Sequence, residues 1–134
     1  MSAPHLDVGV ILRFAELIKS LPDSLAEMYS NHLPSKVRRS RAQELVGEIS
    51  IGLFPTVAVL EIRQPYAADL LKRRLHFMEC EALRLSGLEV PDFEKPREPG
   101  VRVSEEAWQY GAFVAFCLTF AVAVQAIAAE VDVA

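Results

Sequence analysis

His76 and Cys80 stand four residues apart with Glu79 between them. On a helix that spacing puts an imidazole and a thiol on one face. A metal centre needs three or four converging ligands, and no second pair with ligand spacing occurs anywhere in the chain. Glu79 and Glu81 are only two residues apart, about 200° around a helix, so they form no carboxylate dyad. His5 and His32 have no chemical partners nearby in sequence. The chain contains no Gly-rich phosphate loop, HExxH, GxSxG or CxxC, and the ExxH signature of di-iron bundles is missing too. No catalytic residue, cofactor, cofactor-binding residue or metal ligand is therefore expected, and the expected function is non-enzymatic. Cys80 and Cys117 fall in different predicted helices, the second inside an apolar run, so both are expected as reduced thiols rather than as a disulfide framework.

Charge gives a second set of candidates. Residues 35–74 carry eight basic and four acidic side chains, +4 in a chain whose total is −4. Lys36, Arg38, Arg39 and Arg41 form one basic cluster and Lys72, Arg73 and Arg74 another. Such clusters can meet phosphate on anionic lipid head groups or on nucleic acid. No interleaved aromatic residues or nucleic-acid motif accompany them, so nucleic acid is not an expected partner.

The elements that would position these groups are mostly helical. Ile11, Phe14, Ala15 and Ile18 predict a first helix from about residue 7 to 19. Ser20, Pro22 and Asp23 read as the start of a second, short helix ending near His32. Pro34 and Ser35 then open a third, running to about Ile49. The apolar stretch 49–62, with Gly52 and Pro55, fits a short buried helix or a strand; helix is favoured. Residues 65–86 predict an amphipathic helix, with Pro65 at its start, Gly87 at its end and a seam of Leu71, Leu75, Met78, Ala82 and Leu85. Pro91, Pro96, Pro99 and Gly100 mark residues 88–103 as a Pro-rich connector. The expected fold is all-α: a helical region over 1–87, the connector, and a terminal helix over 104–134.

That terminal helix dominates the reading. Ser104, Glu105 and Glu106 suit a helix start. From Ala107 to Ala129 there are 23 residues without a charge. They reach ~34 Å, against ~30 Å of bilayer hydrocarbon. Mean hydropathy over Gly111–Ala129 is about +2, within the range of membrane spans. Ala107, Gly111, Ala115, Thr119 and Ala123 recur every fourth residue as a stripe of small side chains suited to close helix packing. Phe113, Phe116 and Phe120 project from the other side, toward lipid or a partner. Trp108 and Tyr110 occupy the end where aromatic rings anchor at a lipid–water boundary.

Two readings follow. The first is a single-span accessory or assembly subunit of a larger membrane complex, held by helix packing against other, membrane-embedded subunits and by anionic lipid. Lys95, Arg97 and Arg102 before the span place residues 1–103 on the cytoplasmic, matrix or stromal side, with the tail across the bilayer. No signal peptide is expected, because Asp7 and Glu16 interrupt the apolar pattern near the N-terminus. The alternative is a soluble, cytoplasmic all-α interaction protein, an inhibitor or adaptor, with residues 107–129 as its buried central helix.

Overall fold

Apolar residues recurring every three to four positions need an apolar surface to lie against, and each helix of this chain finds one in another helix. A computed structural model of the protein describes residues 6–88 and 105–133. The described residues form four helices: α1 (Val8–Ser30), α2 (Ser35–Arg63), α3 (Pro65–Ser86) and α4 (Glu105–Val133). The all-α expectation holds at this level, with two long apolar helices, α2 and α4, in the set. Of the expected Pro-rich connector only Leu88 is described, and residues 89–103 lie outside the described residues.

Neighbouring helices run antiparallel in chain order. Arg13 faces Glu48 and Phe14 meets Gly52 across α1 and α2. Lys72 pairs with Glu61, and Ser86 lies beside Arg38, across α2 and α3. Gln109 accepts from Arg84, and the Phe116 ring meets Phe77 tilted by 59° with centroids 4.7 Å apart, across α3 and α4. The closest pairs are α1 with α4 and α2 with α3, and α1 against α2 joins them.

Three expectations need correcting. α1 is one helix and not two, because Pro22 does not break it. A proline inside a helix costs ~3 kcal/mol. Leu21, Leu25 and Met28 carry the seam of Ile11, Phe14 and Ile18 up to and past it, all buried, and each such side chain contributes about 1.5–3 kcal/mol on burial. Continuing the helix wins. α2 likewise passes straight through Pro55 and takes in the whole ambiguous stretch 49–62. Pro55 and Ile51 are both exposed, so the Ile51 carbonyl that loses its donor lies on the solvent side, while Leu53, Val57 and Leu60 stay in the core.

The third correction concerns α4. A single-span anchor with residues 1–103 on one side of a bilayer requires this helix to stand apart from the rest of the chain. It lies along α1 instead. Phe113, Cys117, Phe120, Ala121, Val124 and Ala128 are buried in the common core, and the Tyr110 hydroxyl donates to the Pro22 carbonyl at 3.2 Å. By length and composition α2 and α4 could each cross a membrane, but both are built into one four-helix bundle. The single-pass subunit and its membrane placement are therefore set aside. α4 is not the sheathed central rod of the alternative either, since it flanks the bundle with one side covered.

The far end of the bundle is tied by a buried arginine. Arg38, in the first turn of α2, is only 7% exposed. Its Nε donates to the Ser86 carbonyl at 3.0 Å, and its terminal nitrogens donate to Leu33 and Leu88 carbonyls at 2.6 and 2.8 Å. The guanidinium carbon lies 4.1 Å from the Tyr29 ring centroid, and the Tyr29 hydroxyl donates to the Leu85 and Leu88 carbonyls. A buried charge is tolerated only when its donors are satisfied; here carbonyls at the negative ends of α1 and α3 do so. α1 itself ends with His32 at φ 55°. The Leu33 amide bonds the Met28 carbonyl and the His32 amide that of Tyr29, the paired closure usually built on glycine.

The α1–α2 crossing makes opposite demands at two glycines. A Cβ on Gly52 would stand 1.9 Å from Cζ of the enclosed Phe14 ring, whereas one on Gly47 would meet nothing within 4 Å. Gly52→Ala is expected to destabilise the fold by at least about 1 kcal/mol, overpacking outweighing the better helix propensity of alanine. Gly47→Ala should stabilise it by up to about 1 kcal/mol. Urea denaturation of both variants checks this, and Phe14→Leu should restore part of the loss in Gly52→Ala.

Candidate interaction surface

α4 has no charged residue between Glu106 and Glu130, so its pattern alone does not say which side faces inward. The structure decides it. The core seam is Phe113, Cys117, Phe120, Val124 and Ala128, at steps of four, three, four and four. The opposite side exposes Trp108, Gly111, Ala112, Ala115, Leu118, Thr119, Val122, Ala126 and Ala129. Trp108 is 70% exposed and Val122 62%. The one hydroxyl on this side, that of Thr119, donates back to the Ala115 carbonyl at 2.9 Å, so the face is apolar over some six turns.

The sequence candidates on α4 distribute as follows. Of the small-residue stripe, Gly111, Ala115 and Thr119 are exposed and Ala107 and Ala123 half-buried. The stripe therefore runs along the outer face, with nothing within 4 Å of a Cβ on Gly111. Phe113 and Phe120, expected to face lipid or a partner, are 2% and 1% exposed in the core; Phe116 is half-buried between Phe77 and Phe120. Phe113 and Phe120 thus face α1, where each buries far more apolar area than alanine or glycine could, and the small-residue stripe is left on the outer side. Trp108 lies in the open, while burial and then the Asp23 carboxylate raise the pKa of Tyr110.

The basic clusters come apart. Arg38 is consumed in the core, Lys72 pairs with Glu61 at 2.5 Å, and Arg73 pairs with Asp69 at 3.0 Å. Lys36, Arg39 and Arg41 are exposed and Arg74 is half-buried. His76 and Cys80 do come together, Nε2 to Sγ 3.6 Å, in a shallow hollow that Lys72, Arg73 and Phe77 also line. Among the described residues no group of three or more His, Cys, Asp or Glu side chains is placed to hold a metal ion.

Sequence reasoning missed a second exposed apolar row, on α2: Ile51, Phe54, Ala58 and Ile62, with Ile51 76% and Ile62 80% exposed. Its signal was available, since these positions recur every three to four residues on the side of α2 away from the core seam Ile49, Leu53, Val57 and Leu60. No protein-family model matches the chain, nor does any curated protein or solved structure.

The two thiols differ sharply in environment. Cys80 is exposed and Cys117 buried, where burial raises the Cys117 thiol from 9.0 to about 12. In the native protein one thiol, Cys80, should react with a disulfide-exchange reagent near pH 8, Cys117 following only on unfolding; equal rates would contradict the placement of α4. Because the folded chain favours protonated Cys117, its contribution to stability is complete below pH ~9 and is lost as pH rises toward ~12. Cys117→Ala should blunt that alkaline loss in a pH series of denaturation curves.

Proposed function

We propose that this chain is a soluble all-α interaction protein, of the adaptor or inhibitor kind, which acts by binding another protein along the outer face of α4. It works without chemistry of its own. The observation that carries this reading is the continuous apolar outer face on a helix already anchored by its other side. Scattered exposed apolar residues are ordinary on any protein surface; an uncharged row some 33 Å long with an open tryptophan is not.

The small side chains fit that use. Glycine and alanine let a second helix axis approach closely, which increases dispersion contact per residue. The strip is about 10 Å wide, or roughly 330 Å², less than the ~800 Å² that a stable interface takes from each partner. A partner therefore reaches beyond α4 onto neighbouring surface.

Gly111→Leu combined with Ala115→Leu tests this, because both positions are exposed and leave the core untouched. The double variant should melt close to the parent and remain monomeric. A photo-crosslinker placed at Leu118 should capture a defined partner in cells expressing the protein, and the double variant should lose that product. Crosslinks of equal yield from a control position such as Ser40, or an unchanged product in the variant, would count against the face.

A further inference from the structure

Two side chains on the exposed side of α3 stand at a distance that suits a metal ion. His76 Nε2 and Cys80 Sγ are 3.6 Å apart, and both residues are open to solvent. A zinc ion holds thiolate sulfur at about 2.3 Å and imidazole nitrogen at about 2.0–2.1 Å. At the tetrahedral angle those two bonds set sulfur and nitrogen ~3.6 Å apart. The same separation serves a thiol–imidazole hydrogen bond, and the ion takes the place of the shared proton. Independently of the α4 face, we propose that His76 and Cys80 are half of a zinc site, completed by the same two residues of a second copy of this chain.

A closed tetrahedral site takes four nitrogen or sulfur ligands, and two cysteines with two histidines are one of its common sets. One chain supplies two of the four. Among the described residues no third His, Cys, Asp or Glu side chain completes the group. A two-fold axis repeats whatever patch it passes through, so one contact between copies turns a single His–Cys pair into the full set. The donors also select the ion. A thiolate and an imidazole from each chain suit zinc, whereas calcium and magnesium require oxygen.

The surroundings favour the same arrangement. The pair opens into a shallow hollow that Lys72, Arg73 and Phe77 also line. Both cations are already met, Lys72 by Glu61 and Arg73 by Asp69, so the ion does not approach unpaired positive charge there. Phe77, 48% exposed, gives each copy apolar area to lay against the other and to keep water from the metal. On binding, each thiol releases its proton to solvent, and the two thiolates balance the charge of the ion.

Full-length protein, kept reduced by a phosphine and stripped of metal, is titrated with zinc and followed by sedimentation velocity. It should be monomeric without zinc and double in mass with it, at one zinc for two chains, and a chelator should reverse the change. Cobalt(II) in place of zinc should show thiolate charge-transfer absorption and the intense visible bands of a tetrahedral site. His76→Ala and Cys80→Ser should each weaken binding by more than about a hundredfold, beyond the loss that an outer-shell partner causes, and abolish the dimer. Both positions are exposed, so each variant should melt like the parent in chelator. Cys117→Ala should keep the site. Gly111→Leu with Ala115→Leu should keep it too, which separates this proposal from the α4 face. Zinc bound once per chain without dimerisation, a zinc dimer that survives both His76→Ala and Cys80→Ser, or no binding at micromolar zinc would each overturn the site.

Discussion

Everything else in this fold depends on one side of α4 being buried against α1. Phe113, Cys117, Phe120 and Val124 are closed off by α1 and its neighbours, and at about 1.5–3 kcal/mol for each large apolar side chain this contact weighs as much as the net stability of a small domain. It also fixes orientation. With the phenylalanines turned inward, the helical period leaves Gly111, Ala115, Leu118 and Val122 no choice but to face outward. The exposed apolar face is thus a geometric consequence of the core.

The opposite end of the bundle is held by polar chemistry. Arg38 and Tyr29 satisfy carbonyls of residues 33, 85, 86 and 88, so the ends of α1 and α3 and the start of α2 are joined at one point. Burial with carbonyl partners in place of a carboxylate makes this an arrangement for defining position more than for adding stability. Burial is also the main cause that raises the Tyr29 pKa, the Arg38 charge partly opposing it. Lysine could not replace Arg38, because three carbonyls in different directions require the planar fork of donors.

How much of this was legible in the sequence depends on how much contrast each segment carries. α3 alternates charged and apolar residues, and the seam Leu71, Leu75, Met78, Ala82 and Leu85 emerges buried as expected, with Pro65 and Gly87 as its limits. The sequence reads α1 and α2 as two segments each, parting near residue 19 and near Ile49, because Ser20 with Pro22 and Gly52 with Pro55 are strong local signals, whereas the longer seam running past them decides the fold. α4 carried least information. Its residues are apolar on every side, so periodicity has no polar face to register against, and composition alone reads equally as lipid-facing or core. The buried role of Arg38 was hidden for the converse reason: in a run of basic residues, nothing local distinguishes the one that turns inward.

A bundle of this size does not require α4 to be apolar all round. Its fold would be served by the six buried residues alone, and charged side chains at the exposed positions would cost little locally while adding solubility. Trp108, Leu118 and Val122 are therefore not explained by folding; neither are Ile51, Phe54 and Ile62 on α2. Each exposes area that folding leaves in water, and together they lie in rows and not at random. Apolar rows outside the core are what a docking surface needs and what an isolated helical bundle avoids.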